Sequence, residues 1–93
     1  MFKYVNNELA ISNGNKSLSL NSLVPKNEPF YVYDLVGMTK RLNDFKSAFK
    51  LNKLSIHYAF KANANKYVLK NFADLGIGID VVSMGEMKLA LAA

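Results

Sequence analysis

Leu54-Ser55-Ile56-His57-Tyr58-Ala59-Phe60-Lys61-Ala62-Asn63-Ala64-Asn65 is the stretch whose reading decides the fold. Its first eight residues alternate. Ile56, Tyr58 and Phe60 share one face of an extended chain, and Ser55, His57, Ala59 and Lys61 share the other. A strand is therefore predicted over 54–61, ending on a lysine. A strand end is a poor place to hide an ammonium and a good place to present one. An ammonium drawn toward a core must be paired or give up its proton. The neutral amine is then a nucleophile toward carbonyl compounds.

Downstream, Asn65 suits the cap of a helix whose apolar stripe is Val68, Leu69, Phe72 and Leu75. Gly76 ends that helix, because glycine accepts the left-handed conformation. Ile77–Val82 reads as a strand, and Ser83 with Glu86 has the spacing of a capping box opening a third helix. Upstream, Phe30–Tyr33 is an aromatic and β-branched strand, and Asp34 caps a helix striped by Leu35, Met38, Leu42, Phe45 and Phe49. From residue 30 the order is thus strand, helix, strand, helix, strand, helix. Such alternation implies an α/β fold with a parallel sheet and helices packed outside it.

Residues 1–12 read as a β-hairpin turning at Asn6-Asn7. Residues 12–29 read as a polar connector punctuated by Gly14, Pro25 and Pro29, with a short strand over 18–20. An isolated hairpin is marginal and needs a sheet to join. Two or three parallel strands leave exposed edges, and Leu89-Ala90-Leu91-Ala92-Ala93 carries no helix stop signal. The expectation is an N-terminal piece of a longer protein.

The 93 residues suffice for one small domain. At 51% hydrophobic and 20% charged, the composition is that of a soluble globular protein. With no cysteine and His57 the sole histidine, disulfides, thiolate metal sites and multi-histidine metal sites are excluded within the chain. The absence of cysteine fits a reducing compartment. The net charge is +5. Lys40, Arg41, Lys46, Lys50 and Lys53, interleaved with Asp44, read as the solvated face of a helix. No motif or contiguous basic patch with exposed aromatics points to nucleic acid. Basic character would still steer a phosphorylated ligand inward. Met1–Asn7 lacks a signal-peptide apolar region, and no apolar run approaches the roughly 20 residues of a membrane span. A cytoplasmic protein without a membrane partner is expected.

Three motifs in order then carry a resemblance. Pro29-Phe30-Tyr31-Val32-Tyr33-Asp34, Tyr58-Ala59-Phe60-Lys61-Ala62-Asn63-Ala64-Asn65 and Gly78-Ile79-Asp80-Val81-Val82-Ser83-Met84-Gly85-Glu86 resemble the opening of the diaminopimelate decarboxylases. These are pyridoxal-phosphate enzymes with an alanine-racemase-like fold. The resemblance implies a (β/α)8 TIM barrel, of which residues 29–93 would be the truncated start. Residues 1–28 would pack with a β-domain that follows the barrel. It implies decarboxylation of meso-2,6-diaminopimelate to L-lysine with pyridoxal 5'-phosphate, in a homodimer. Related decarboxylases of ornithine, arginine or carboxynorspermidine, and a non-catalytic regulatory homologue, are the alternatives.

By the same resemblance, Lys61 is the catalytic lysine that holds the cofactor covalently, at the carboxyl end of the first barrel strand. Ala59 lies beside the cofactor on the lysine's face, where a small side chain leaves room for a flat ring. Asp80 matches an acid near the lysine and could pair with it. Glu86 falls near the family's active site, although the capping box explains it without catalysis. His57 reads as a hydrogen-bonded core or barrel-floor histidine. Asn63 and Asn65 read as turn and cap residues, and Phe30, Tyr31 and Tyr33 as packing.

There are departures from the family pattern. Glu28 stands where threonine is commoner, Met84 where glycine is common, and the connector lacks a short helix. The phosphate loop, the acid that faces the pyridine nitrogen, the substrate-specifying segment and the neighbouring subunit's cysteine segment are not among these residues. A barrel with so few strands cannot close, so the 93-residue chain is expected to be inactive alone.

Overall fold

The computed structural model describes residues 1–23, 28–50 and 53–93, so Pro25 lies outside the described residues. The chain divides into two compact units, Met1–Arg41 and Leu42–Ala93.

The first unit opens with an antiparallel meander. Strand β1 (Phe2–Val5) pairs with β2 (Glu8–Asn13) in the register Phe2↔Ile11 to Val5↔Glu8. The two intervening residues, Asn6 and Asn7, have φ of 51° and 63°. Both central positions are left-handed, as a type I′ hairpin turn requires and as asparagine tolerates. β2 then pairs with β3 (Lys16–Ser19) across Gly14-Asn15, with Gly14 at φ 60°. The expected hairpin over 1–12 is therefore a three-stranded sheet. Gly14-Asn15 is itself a two-residue turn, so the chain pairs a second time, and the strand expected over 18–20 occupies 16–19. The connector also carries a 3-10 turn at Leu20–Ser22, where no helix was expected. Ser22 Oγ donates to the Ser19 carbonyl at 2.6 Å and closes it.

Phe30–Tyr33 forms no ladder among the described residues. The Tyr31 and Tyr33 rings nonetheless lie 6.4 Å apart and within 9° of parallel. That spacing is close to two residues of extended chain, about 6.6 Å. The segment alternates like a strand, and what it lacks is a neighbour to pair with. Asp34 then caps helix α1 (Leu35–Ala48): its Oδ1 accepts the Gly37 N–H at 2.9 Å and its carbonyl accepts the Met38 N–H at 2.9 Å. Its Oδ2 takes the Met1 ammonium, which also donates to the Ser12 carbonyl. The ammonium first, and the Gly37 N–H second, hold the Asp34 carboxyl below its usual range. Gly37 gives this cap its space, since a Cβ there would lie 2.6 Å from Asp34 Oδ2.

In the second unit, α1 buries Leu42, whereas Phe45 and Phe49 meet edge to face at 4.9 Å and stay exposed. The predicted stripe thus contributes one buried residue. The helix ends at Ala48, so Lys50 and Lys53 lie beyond it rather than on its solvated face. Lys46 is half-buried and donates to the Leu75 carbonyl at 3.3 Å. Strands β4 (His57–Ala59) and β5 (Gly78–Asp80) pair in parallel, joined through helix α2 (Lys66–Asp74). Phe60, Val68, Leu69 and Ile77 are the buried core residues here alongside Leu42. The Tyr58 and Phe72 rings are 4.5 Å apart, so α2 covers the Tyr58 face of β4. Asn65 Oδ1 caps α2 by accepting the Tyr67 N–H at 2.9 Å, and Gly76 follows it at φ 74°. Helix α3 (Met84–Ala92) has no buried residue.

The architecture is α/β, with an antiparallel sheet and a two-stranded parallel sheet flanked by helices. Among the described residues no helix is long and apolar enough to cross a membrane.

Candidate active site

The site is assembled at the carboxyl ends of β4 and β5. Their register pairs His57 with Gly78, Tyr58 with Ile79 and Ala59 with Asp80. Register partners in parallel strands project to the same side of a sheet, and successive residues to opposite sides. Because Tyr58 meets α2, the side bearing His57, Ala59, Gly78 and Asp80 is turned away from that helix. Ala59 and Asp80 are thus neighbours on the side away from α2, at the last rung of the ladder.

Lys61 follows one residue after Phe60, but not as a strand residue. Phe60–Ala62 is a 3-10 turn, so the alternation that set Lys61 on the face of Ala59 stops at Ala59. The turn forms because Phe60 is drawn into the core, 5% exposed, which bends the chain away from the extended line. Lys61 is exposed, and it has no hydrogen bond or ion pair among the described residues. The ammonium is therefore presented to solvent rather than carried toward a core. Asp80 is likewise exposed and makes no ion pair with Lys61.

The segment around Lys61 is anchored on both sides. Tyr58 Oη donates to the Asn63 carbonyl at 3.3 Å, Asn63 Oδ1 accepts the Asn65 N–H at 2.9 Å, and Asn65 caps α2. The turn and cap roles read for Asn63 and Asn65 hold. The tie from Tyr58 was not legible, because periodicity assigned Tyr58 only to the packing face. Glu86 is half-buried at the start of α3. Its N–H donates to Ser83 Oγ at 3.1 Å, and its Oε2 accepts the Val82 N–H at 2.8 Å. The capping box forms, with the return bond shifted one residue ahead of the cap. One carboxylate oxygen of Glu86 is thus committed to the helix start. His57 is hydrogen-bonded, with Nε2 2.8 Å from Ser55 Oγ, but it is exposed rather than part of a core.

A lysine on an anchored turn, next to paired strand ends bearing a small residue and a carboxylate, can present a primary amine to a carbonyl ligand. The model of the family described as "Pyridoxal-dependent decarboxylase, pyridoxal binding domain" matches residues 35–93. The chain belongs to this family. Among curated relatives of this decarboxylase-family chain, it is 46% identical over 67 residues to the diaminopimelate decarboxylase of Campylobacter jejuni, covering 72% of this chain and 17% of that protein. The diaminopimelate decarboxylase of Helicobacter pylori strain J99 is 46% identical over 65 residues, covering 70% of this chain and 16% of that protein. That of Bacteroides thetaiotaomicron is 46% identical over 70 residues, covering 70% and 17%. The chain therefore spans about a sixth of the length of these relatives. No solved structure matches it.

Proposed function

We propose that this chain carries the cofactor-anchoring part of a decarboxylase that converts meso-2,6-diaminopimelate to L-lysine with release of CO2. The match of the pyridoxal-binding family over residues 35–93 carries the reading. The names of the relatives supply the substrate.

In this reading Lys61 holds pyridoxal 5'-phosphate through Nζ. The donor chemistry fits: a primary amine, exposed and without a partner among the described residues, stands just past the carboxyl end of β4. Ala59 adds only a methyl group to the adjoining surface, which suits a flat ring, and Asp80 beside it adds a carboxylate. Glu86 keeps one carboxylate oxygen outside its cap and is the fourth residue of the proposed cofactor site. When bound, pyridoxal phosphate supplies an electron sink for the pair released as CO2 departs. Lys61 would supply the nucleophile and a proton-carrying Nζ, and the Tyr58–Asn63 tie orients its turn.

We read residues 29–93 as the start of a (β/α)8 TIM barrel of the alanine-racemase-like type. Such barrels keep their active sites at the carboxyl ends of their strands. Residues 1–28 are read as packing with a β-domain. The whole protein is read as a cytoplasmic homodimer with an amino-acid substrate and no nucleic-acid or membrane partner. The 93-residue chain is expected to be inactive by itself.

The test is a chimera in which this chain replaces the matching segment of a diaminopimelate decarboxylase. It should release CO2 from meso-2,6-diaminopimelate, and Lys61→Ala should abolish both release and borohydride trapping of pyridoxal phosphate. A folded chimera that releases CO2 only from ornithine or arginine, or a Lys61→Ala chimera that keeps its activity, would refute the reading.

A further inference from the structure

We propose that His57 is a positioning residue whose imidazole occupies the side-chain place of Gly78, and so holds β4 and β5 in the register that sets Asp80 beside Ala59. Its importance to the reaction rests on the reading of Lys61 and its neighbours as the cofactor site.

His57 and Gly78 are direct register partners. A Cβ built on Gly78 would lie 2.5 Å from His57 Nδ1, 2.9 Å from Cε1 and 3.3 Å from Cγ. The ring therefore fills the volume that any other residue at 78 would claim. Gly78 is not required for its backbone, since the glycines with positive φ are Gly14 and Gly76. In Gly76-Ile77-Gly78 the first glycine is needed for conformation and the second for space. The far side of the ring is held as well, with Nε2 2.8 Å from Ser55 Oγ.

The ladder has reason to need such a device. It has three rungs, and one contains glycine. Register is weakly specified in short or glycine-containing strands, because few side chains lose anything when the strands slip. A slip of two residues keeps every side chain on its own face and so escapes control by burial. It would set the His57 ring against Asp80, or against Gly76, whose φ of 74° takes it out of the strand conformation. Gly78 is the position on that face where an extended strand leaves the ring's volume empty.

The chain has no cysteine, which makes a disulfide a clean reporter of register. Adjacent strands lie about 4.8 Å apart, within the Cα separation that a disulfide spans. Ala59→Cys with Asp80→Cys should therefore cross-link under mild oxidation. Adding His57→Ala, Gly78→Ala or Ser55→Ala should slow cross-linking about fivefold each, the worth of one hydrogen bond. The His57→Ala/Gly78→Ala pair should be no slower than either single change, because ring and empty place act as one unit. Independent effects multiplying to about 25-fold would overturn the proposal, as would unchanged cross-linking in the Gly78→Ala protein. Should Gly78→Ala not fold by circular dichroism, His57→Ala and Ser55→Ala still decide, and cross-linking unchanged in both overturns it. Borohydride trapping of pyridoxal phosphate at Lys61 is measured in the same backgrounds, without the cysteines, in the chimera. Trapping that falls in step with cross-linking supports the positioning role. Register-dependent cross-linking with no trapping even in the unsubstituted chimera supports the His57–Gly78 lock and refutes the cofactor reading of Lys61 instead.

Discussion

Replacing Leu69 by alanine tests whether α2 is packed on the parallel strands that present Lys61. Leu69 is 2% exposed and neighbours the fully buried Val68. The substitution deletes three carbon atoms. At about 0.8 kcal/mol for each buried methylene equivalent, the lost transfer energy is about 2.4 kcal/mol. The residual cavity adds to this, and measured leucine-to-alanine costs run from about 2 to 5 kcal/mol. The sheet beneath α2 has two strands, so neighbours can relax into the gap, which favours the lower half of that range. With a urea slope of about 1 kcal/mol/M for a small protein, the midpoint should fall by about 2–3 M, or the protein should unfold without denaturant. Leu91→Ala is the control, because Leu91 is 80% exposed and such sites usually change stability by less than about 0.5 kcal/mol. Urea titration of the 93-residue chain by far-ultraviolet circular dichroism reads both. Equal midpoints for the two variants would refute the packing of α2 and, with it, the fixed position of the Tyr58–Asn63 turn.

Three further outcomes are expected. Asn65→Ala should cost about 1 kcal/mol by removing the cap on the Tyr67 N–H, read as faster amide exchange in the first turn of α2 than in its last. Glu86→Gln should leave the start of α3 intact, because an amide oxygen can still accept the Val82 N–H, whereas Ser83→Ala should cost about 1 kcal/mol; nuclear magnetic resonance of the Val82 and Glu86 amides separates the two. The Asp34 carboxyl is held below its usual range, so its contribution is full above the unfolded value of about 3.9 and is lost as pH falls through the folded value. Asp34→Asn should accordingly lower the thermal midpoint at pH 6, and the two curves should converge toward pH 2.

The caps and turns were legible because each is satisfied within a few residues. Asn6-Asn7, Asp34, Asn65, Gly76 and Ser83 with Glu86 all do what their chemistry suggests. The strands were less so. The stretch 54–61 alternates over eight residues, but β4 keeps three of them and Phe30–Tyr33 keeps none. Alternation records a capacity for strand structure, and a ladder also needs a partner along its full length. The meander was underestimated for the opposite reason: Gly14-Asn15 looked like punctuation in a connector and is a pairing turn.

By itself the sequence determined the local stops and starts, the alternation of helix and strand from residue 35, and the three motifs of a pyridoxal-dependent decarboxylase. These are short-range properties, set by φ preferences, side-chain length and capping. Only tertiary structure decided that Phe60 is drawn into the core and turns the chain, leaving Lys61 exposed on a bend rather than on the strand face of Ala59. Only tertiary structure also brought Ala59 beside Asp80 and seated the His57 ring over Gly78. Those neighbours come from different strands, and parallel pairing through an intervening helix places them together by a register that no local pattern encodes.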